Sequence, residues 1–152
     1  MIPLLAAAAL TPIPIGPGVA YRPAAGRPLV ACADRPLARV HVELFANGRA
    51  IVIPAGIGAC SDPLRTRTPT GIVELKQHGL VLADLFRVWR QPLGDKRLLS
   101  FRSQTPVRAY VGGRRARAPV GSIPLRPGAQ IVVELGAYVP PHASFLFPRS
   151  GT

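Results

Sequence analysis

Arg39-Val40-His41-Val42-Glu43-Leu44-Phe45-Ala46-Asn47-Gly48-Arg49-Ala50-Ile51-Val52-Ile53-Pro54 is the stretch whose reading decides the fold. Val40, Val42 and Leu44 alternate with His41, Glu43 and Phe45, the period of two that a strand with two distinct faces requires. Asn47-Gly48 suits the two positive-φ positions of a type I′ turn, and the β-branched run Ile51-Val52-Ile53 follows at once. Pro54 has no backbone N–H to give a ladder and stops it. A β-hairpin is expected here.

Working outward, Ala55 to Pro63 is a loop by its glycines and proline, and Ile72-Val73-Glu74-Leu75 reads as a short strand. Over Val81 to Trp89 the period changes. Leu82, Leu85, Phe86 and Trp89 fall at i, i+3, i+4 and i+7, one face of a short helix that Pro92 ends, with Trp89 as a core anchor. Strands return from Leu98. Val107 to Val111, the turn Gly112-Gly113 and Arg114 to Ala118 make a second hairpin, and Gln130 to Leu135 is a largely buried final strand. The tail Pro140 to Pro148 carries phenylalanines that are expected to pack back on the body. This order predicts an α+β chain, a β-grasp-like mixed sheet with one short helix, whose first and last strands pair in the middle. A β-sandwich or barrel with one helix is the alternative. Residues 1–31 read as an apolar start and a Pro/Gly-rich lead-in, 32–148 as a single β-rich domain and 149–152 as a tail.

The 152 residues carry a net charge of +12, and all but two of the 19 basic residues are arginine. Such a surface attracts acidic envelope polymer or anionic membrane; nucleic acid is not favoured, since no aromatic stacking motif accompanies the charge. Arginine usage of this kind also arises in a merely solvated basic surface. Met1 to Leu10 has the length of an export-signal h-region but no basic n-region. Leu29-Val30-Ala31-Cys32 resembles a lipobox, but Arg27 and two prolines precede it where an apolar run is needed. No apolar run is long enough to cross a membrane as a helix.

Cys32 and Cys60 flank the hairpin. They fit one disulfide closing a loop of about 29 residues and an oxidising, extracytoplasmic location. Two separate buried thiols remain the other reading.

No catalytic constellation emerges. His41, His78 and His142 lie far from any nucleophile signature, the seven carboxylates are scattered, and no phosphate-binding glycine motif opens a helix. An enzyme is not expected, nor a cofactor. On an extended backbone Arg65 and Arg67 share one face at about 7 Å, a spacing that suits a phosphate or carboxylate clamp. Paired with local acids, the same two arginines would be structural.

Taken together, Cys32, V-H-V-E-L-F-A-N-G, P-A-G-I-G, Cys60, L-R-T-R-T-P-T-G-I-V-E-L, L-A-D-L-F-R-V-W-R-Q-P-L, A-Y-V-G-G, I-V-V-E-L-G and F-L-F-P resemble an uncharacterised family of bacterial secreted or membrane-anchored domains. That family's pattern reads Cys, H-x-H-x-x-L-x-x-F-x-N-G, Cys, H-T-H-D-x-T-G-x-I-H-x-E, L-G-x-F-F-x-I-W-G-Q-P-L. The resemblance covers about Cys32 to Pro148 and implies a histidine cluster of metal-ligand character. In this chain His41 stays, while the other histidine positions fall on Arg39, Arg65, Arg67 and Glu74. Three arginines repel a cation, so no metal is expected. The resemblance implies instead a site converted to anion binding, with Glu74 either part of it or neutralising the arginines in a buried network. The expected function is a non-enzymatic extracytoplasmic binding or accessory module. The alternatives are a polyanion-binding surface that uses Arg114, Arg115 and Arg117 with Arg65 and Arg67, or a subunit of a larger envelope complex with a protein partner.

Overall fold

The structure, a computed structural model, describes residues 32–149. The export-signal and lead-in expectations for residues 1–31 lie outside the described residues, as does the end of the tail beyond Arg149.

The opening stretch forms the expected hairpin: β1 (Ala38–Ala46) and β2 (Arg49–Ile51). Asn47 and Gly48 sit at φ 52° and 81°, both positive as a type I′ turn demands. β3 (Leu64–Arg65) and β4 (Ile72–Leu75) follow, then α1 (Leu82–Trp89) and the two-residue strands β5 (Leu93–Gly94), β6 (Arg97–Leu98) and β7 (Phe101–Arg102). β8 (Arg108–Val111) and β9 (Arg114–Arg115) form the second hairpin, and β10 (Gln130–Leu135) ends the regular structure.

The main sheet runs β3-β4-β1-β10-β8-β9, with β2 also pairing with β1. β1 and β10 are parallel and central, with His41 opposite Gln130 and Ala46 opposite Leu135. β4 pairs with the first half of β1 and β2 with the second half. The fold is therefore α+β, a mixed sheet with first and last strands in the middle and one helix laid across it. The sheet stays open, which removes the barrel alternative, and β5 to β7 are too short to be the facing half of a sandwich. Strands of two residues cannot show a period of two, so the onset of β structure at Leu93 rather than Leu98 is invisible to pattern reading. β9 is also shorter than the arm expected to Ala118: the Ala116 N–H still donates to the Ala109 carbonyl, but Arg117 and Ala118 are exposed and Pro119, which has no N–H, follows.

The strand period sorts the sheet into two faces. Val40, Val42, Leu44 and Ala46 of β1 join Ile131, Val133 and Leu135 of β10 against Leu82, Leu85, Phe86 and Trp89 of α1. Fully burying each such side chain contributes roughly 1.5–3 kcal/mol. The Asp84 carboxylate caps the helix by accepting the Val81 N–H at 2.8 Å. Burial of that carboxyl opposes ionisation, but the Val81 N–H and the Arg87 guanidinium outweigh it and hold Asp84 below its ordinary value. The helix ends before Pro92, at Arg90, which takes the left-handed conformation at φ 60°.

Cys32 and Cys60 are joined by a disulfide, with Cα atoms 5.5 Å apart. This bond points to an oxidising, extracytoplasmic environment. Nearby, Lys76 donates to the Cys60 carbonyl and lies 2.8 Å from Asp34. The Lys76 hydrogen bond, with the charges of Lys76 and Arg65, holds Asp34 below its ordinary value. No helix among the described residues is long and apolar enough to cross a membrane.

Candidate functional site

The other face of the sheet carries the polar half of the β1 alternation. Arg39, His41, Glu43 and Phe45 point there, beside Gln130, Val132 and Glu134 of β10. Glu74 stands opposite both Arg39 and Arg65 in the strand registers. The fold thus brings four of the five predicted site residues to one corner, and Arg67 joins them from the loop after β3. Glu74 Oε1 accepts from Arg65 Nε at 3.1 Å and from Arg67 Nε at 2.8 Å. The Arg65 and Glu74 side chains are 7% and 4% exposed; the Arg67 side chain is 65% exposed. Arg39 is engaged elsewhere, donating to the Pro148 carbonyl at 2.9 Å with its guanidinium 5.3 Å from the Phe147 ring centre. Glu74 therefore bonds two guanidiniums, while the third arginine, opposite it in the strand register, bonds the tail.

His41 is buried in a hydrogen-bond chain. Gln130 Nε2 donates to Glu43 Oε1 at 2.9 Å, which turns Gln130 Oε1 toward His41 Nδ1 at 2.6 Å. His41 Nε2 lies 2.8 Å from the Thr70 carbonyl. Both ring nitrogens are taken up by internal oxygens, and His142 Nδ1 reaches Glu43 Oε1 from the tail at 2.8 Å. Among the described residues no group of three or more His, Cys, Asp or Glu is placed to hold a metal ion. The arginine, glutamate and hydrogen-bonded histidine present do not fit the metal that the resemblance implies.

Gly71 explains the T-P-T-G sequence. Its carbonyl accepts from Val42, and its φ is +80°. A Cβ there would meet the Val42 carbonyl oxygen at 2.2 Å and His41 Nε2 at 3.2 Å. Only glycine lets this loop close on the His41 chain.

Beside this corner, where β2 and β4 diverge along β1, a groove of about 570 Å³ opens. Phe45, Ile51, Ile53, Phe145 and Leu146 give it apolar walls, with His41, Glu43 and His142 as its polar end. One wall is the tail. Val139 packs with Phe45, Tyr110 and Val132; Phe145 stacks on His41 with ring centres 3.6 Å apart and planes 6° apart; Phe147 meets Arg39. The phenylalanines do pack back. Sequence reasoning named them and His142 but not their partners, because nothing local says which face of the sheet a tail will cover. Gln130 was read only as the start of a strand, although its amide links His41 to Glu43.

Arg114, Arg115 and Arg117 lie apart from this corner, exposed around the second hairpin, where Gly112 and Gly113 both have positive φ. Arg115 stands 5.9 Å from the Tyr110 ring centre. With Lys96 and Asp95, Arg115 and Arg117 border a surface depression of about 640 Å³. Comparison with protein-family models, curated proteins and solved structures returns no match.

Proposed function

We propose that this chain is a non-enzymatic extracytoplasmic binding or accessory module that recognises an anionic group at the Arg39, Arg65 and Arg67 corner. The carrying observation is the excess of cationic groups over the one carboxylate there: Arg65 and Arg67 both bond Glu74, while Arg39, opposite Glu74 in the strand register, bonds the neutral Pro148 carbonyl, all beside a groove with apolar walls. Arg65 is committed to Glu74 as a structural partner, while exposed Arg67 and half-buried Arg39 retain donors for a carboxylate or phosphate. In this reading the histidine site of the resembling family has become an anion site.

A second reading, a basic surface for acidic envelope polymer, has its own support in exposed Arg114, Arg115 and Arg117 around one hairpin. Titration of polyglutamate into three proteins separates the two: the natural chain, Arg39→Gln with Arg67→Gln, and Arg114→Gln with Arg115→Gln and Arg117→Gln. Loss of binding in the first variant alone supports the corner. Loss in the second alone, with a steep salt dependence, moves the function to the hairpin. Binding unaffected by either variant removes both readings.

A further inference from the structure

The tail is the least expected occupant of the polar face, and the manner of its attachment carries information. Residues 137–149 form no strand and add to no sheet edge. They lie across the face, held chiefly by side chains. Their contacts step along β1 in order and in reverse direction: Val139 with Phe45, His142 with Glu43, Phe145 with His41, Phe147 with Arg39. The last two pairs join residues two apart on the tail to residues two apart on β1, so the face presents aromatic-accepting positions at about the 7 Å repeat of a strand. Each holds a flat ring against an imidazole or guanidinium, a contact open to any extended peptide with aromatic side chains at alternate positions.

Among the described residues the tail brings no carboxylate to this site. At its far end Arg39 donates to the neutral Pro148 carbonyl, and the next residue, Arg149, adds a like charge to a corner already rich in guanidinium. A carboxylate in that position would form charge-assisted hydrogen bonds with the Arg39 guanidinium and an attraction to exposed Arg67. Leu146, between the two phenylalanines, is 93% exposed and contributes almost nothing to holding the tail.

We infer that the polar face of the sheet is a docking track for an extended acidic peptide of another protein, with two aromatic residues at alternate positions followed by a carboxylate, and that the chain's own tail occupies this track as a displaceable stand-in. The inference rests on the anion reading above and specifies the anion as a peptide carboxylate. Because the tail is tethered, it competes at an effective concentration in the millimolar range, so a partner must supply the missing charge contact to displace it.

The test uses the full chain carrying Leu146→Cys labelled with an environment-sensitive dye, since that side chain is 93% exposed and borders the groove, where a dye senses whether the tail stays in place. Three acetylated peptides are titrated: Ser-Phe-Leu-Phe-Pro-Glu, the same with Gln for Glu, and Ser-Ala-Leu-Ala-Pro-Glu, all amidated. The expected result is a dye response to the first, with affinity roughly tenfold or more above the other two. In parallel, the Phe145→Ala, Phe147→Ala variant should bind the labelled first peptide more tightly than the natural chain does; if that variant does not fold, the dye experiment decides alone. Equal binding of the Phe and Ala peptides overturns the inference and leaves the anion reading standing. Equal binding of the Glu and Gln peptides overturns the anion reading and with it the carboxylate specified here. No response to any peptide overturns the inference.

Discussion

Replacing Glu74 with leucine isolates what the buried ion pair does for this fold. Two guanidiniums converge on one carboxylate oxygen at 3.1 and 2.8 Å, but they differ in burial: Arg65 is 7% exposed and Arg67 is 65% exposed. Without Glu74, Arg67 turns into water at little cost. Arg65 cannot, because its side chain is buried and, among the described residues, the Asp34 carbonyl, 3.3 Å from its Nη2, is the acceptor it would keep. Stranding a buried charge by removing its partner costs about 3–5 kcal/mol, and that is the expected loss for Glu74→Leu. Arg67→Ala should cost about 1 kcal/mol or less, as exposed pairs do. Arg65→Met combined with Glu74→Leu should recover most of the loss, to within about 2 kcal/mol of the natural chain, because an apolar pair needs no compensation. The assay is urea unfolding with the disulfide intact, followed by circular dichroism, comparing midpoints at unchanged slope. A Glu74→Leu loss below about 1 kcal/mol, or a double variant as unstable as Glu74→Leu alone, refutes the reasoning.

Three further outcomes are expected. Gly71→Ala puts a Cβ 2.2 Å from the Val42 carbonyl oxygen at φ +80°, and should destabilise by more than about 2 kcal/mol in the same assay. Asp84→Asn weakens the cap of α1 and should cost about 1 kcal/mol at neutral pH. Asp84 has a lowered folded-state value, so its contribution is fully present above the ordinary 3.8 and is lost as pH falls through the lowered value. Acid unfolding curves of the two proteins should therefore converge below about pH 4, and a gap that widens there contradicts the capping role. Reducing the Cys32–Cys60 bridge should remove about 3 kcal/mol and lower the melting temperature by roughly 10 °C, read by calorimetry with and without reductant.

Much of the fold was legible because local physics and tertiary burial agree. Alternation in Val40 to Phe45 identified both faces of β1, Asn47-Gly48 fixed the turn, and the spacing of Leu82, Leu85, Phe86 and Trp89 fixed the face of α1. The two cysteines paired as expected, and the element order gave the central parallel pair of β1 and β10. The residues of the Arg39, His41, Arg65, Arg67 and Glu74 corner were nameable in advance through the resemblance, whose histidine positions fall on them; strand period alone put only Arg65 and Arg67 on a shared face.

What the sequence could not decide is how those side chains are satisfied. Strand period assigns a residue to a face, whereas hydrogen-bond partners depend on register between strands far apart in the chain. Thus Gln130 came to bridge His41 and Glu43, 89 and 87 residues away in the chain, and Glu74 drew in Arg65 and Arg67 while Arg39 turned to the tail. The tail is the sharper case. Its phenylalanines declare by their apolarity that they will be buried, but only the assembled sheet offers His41 and Arg39 at a matching spacing. Apolarity is a property of the residue and can be read one letter at a time; complementarity belongs to two surfaces and exists only once both are built.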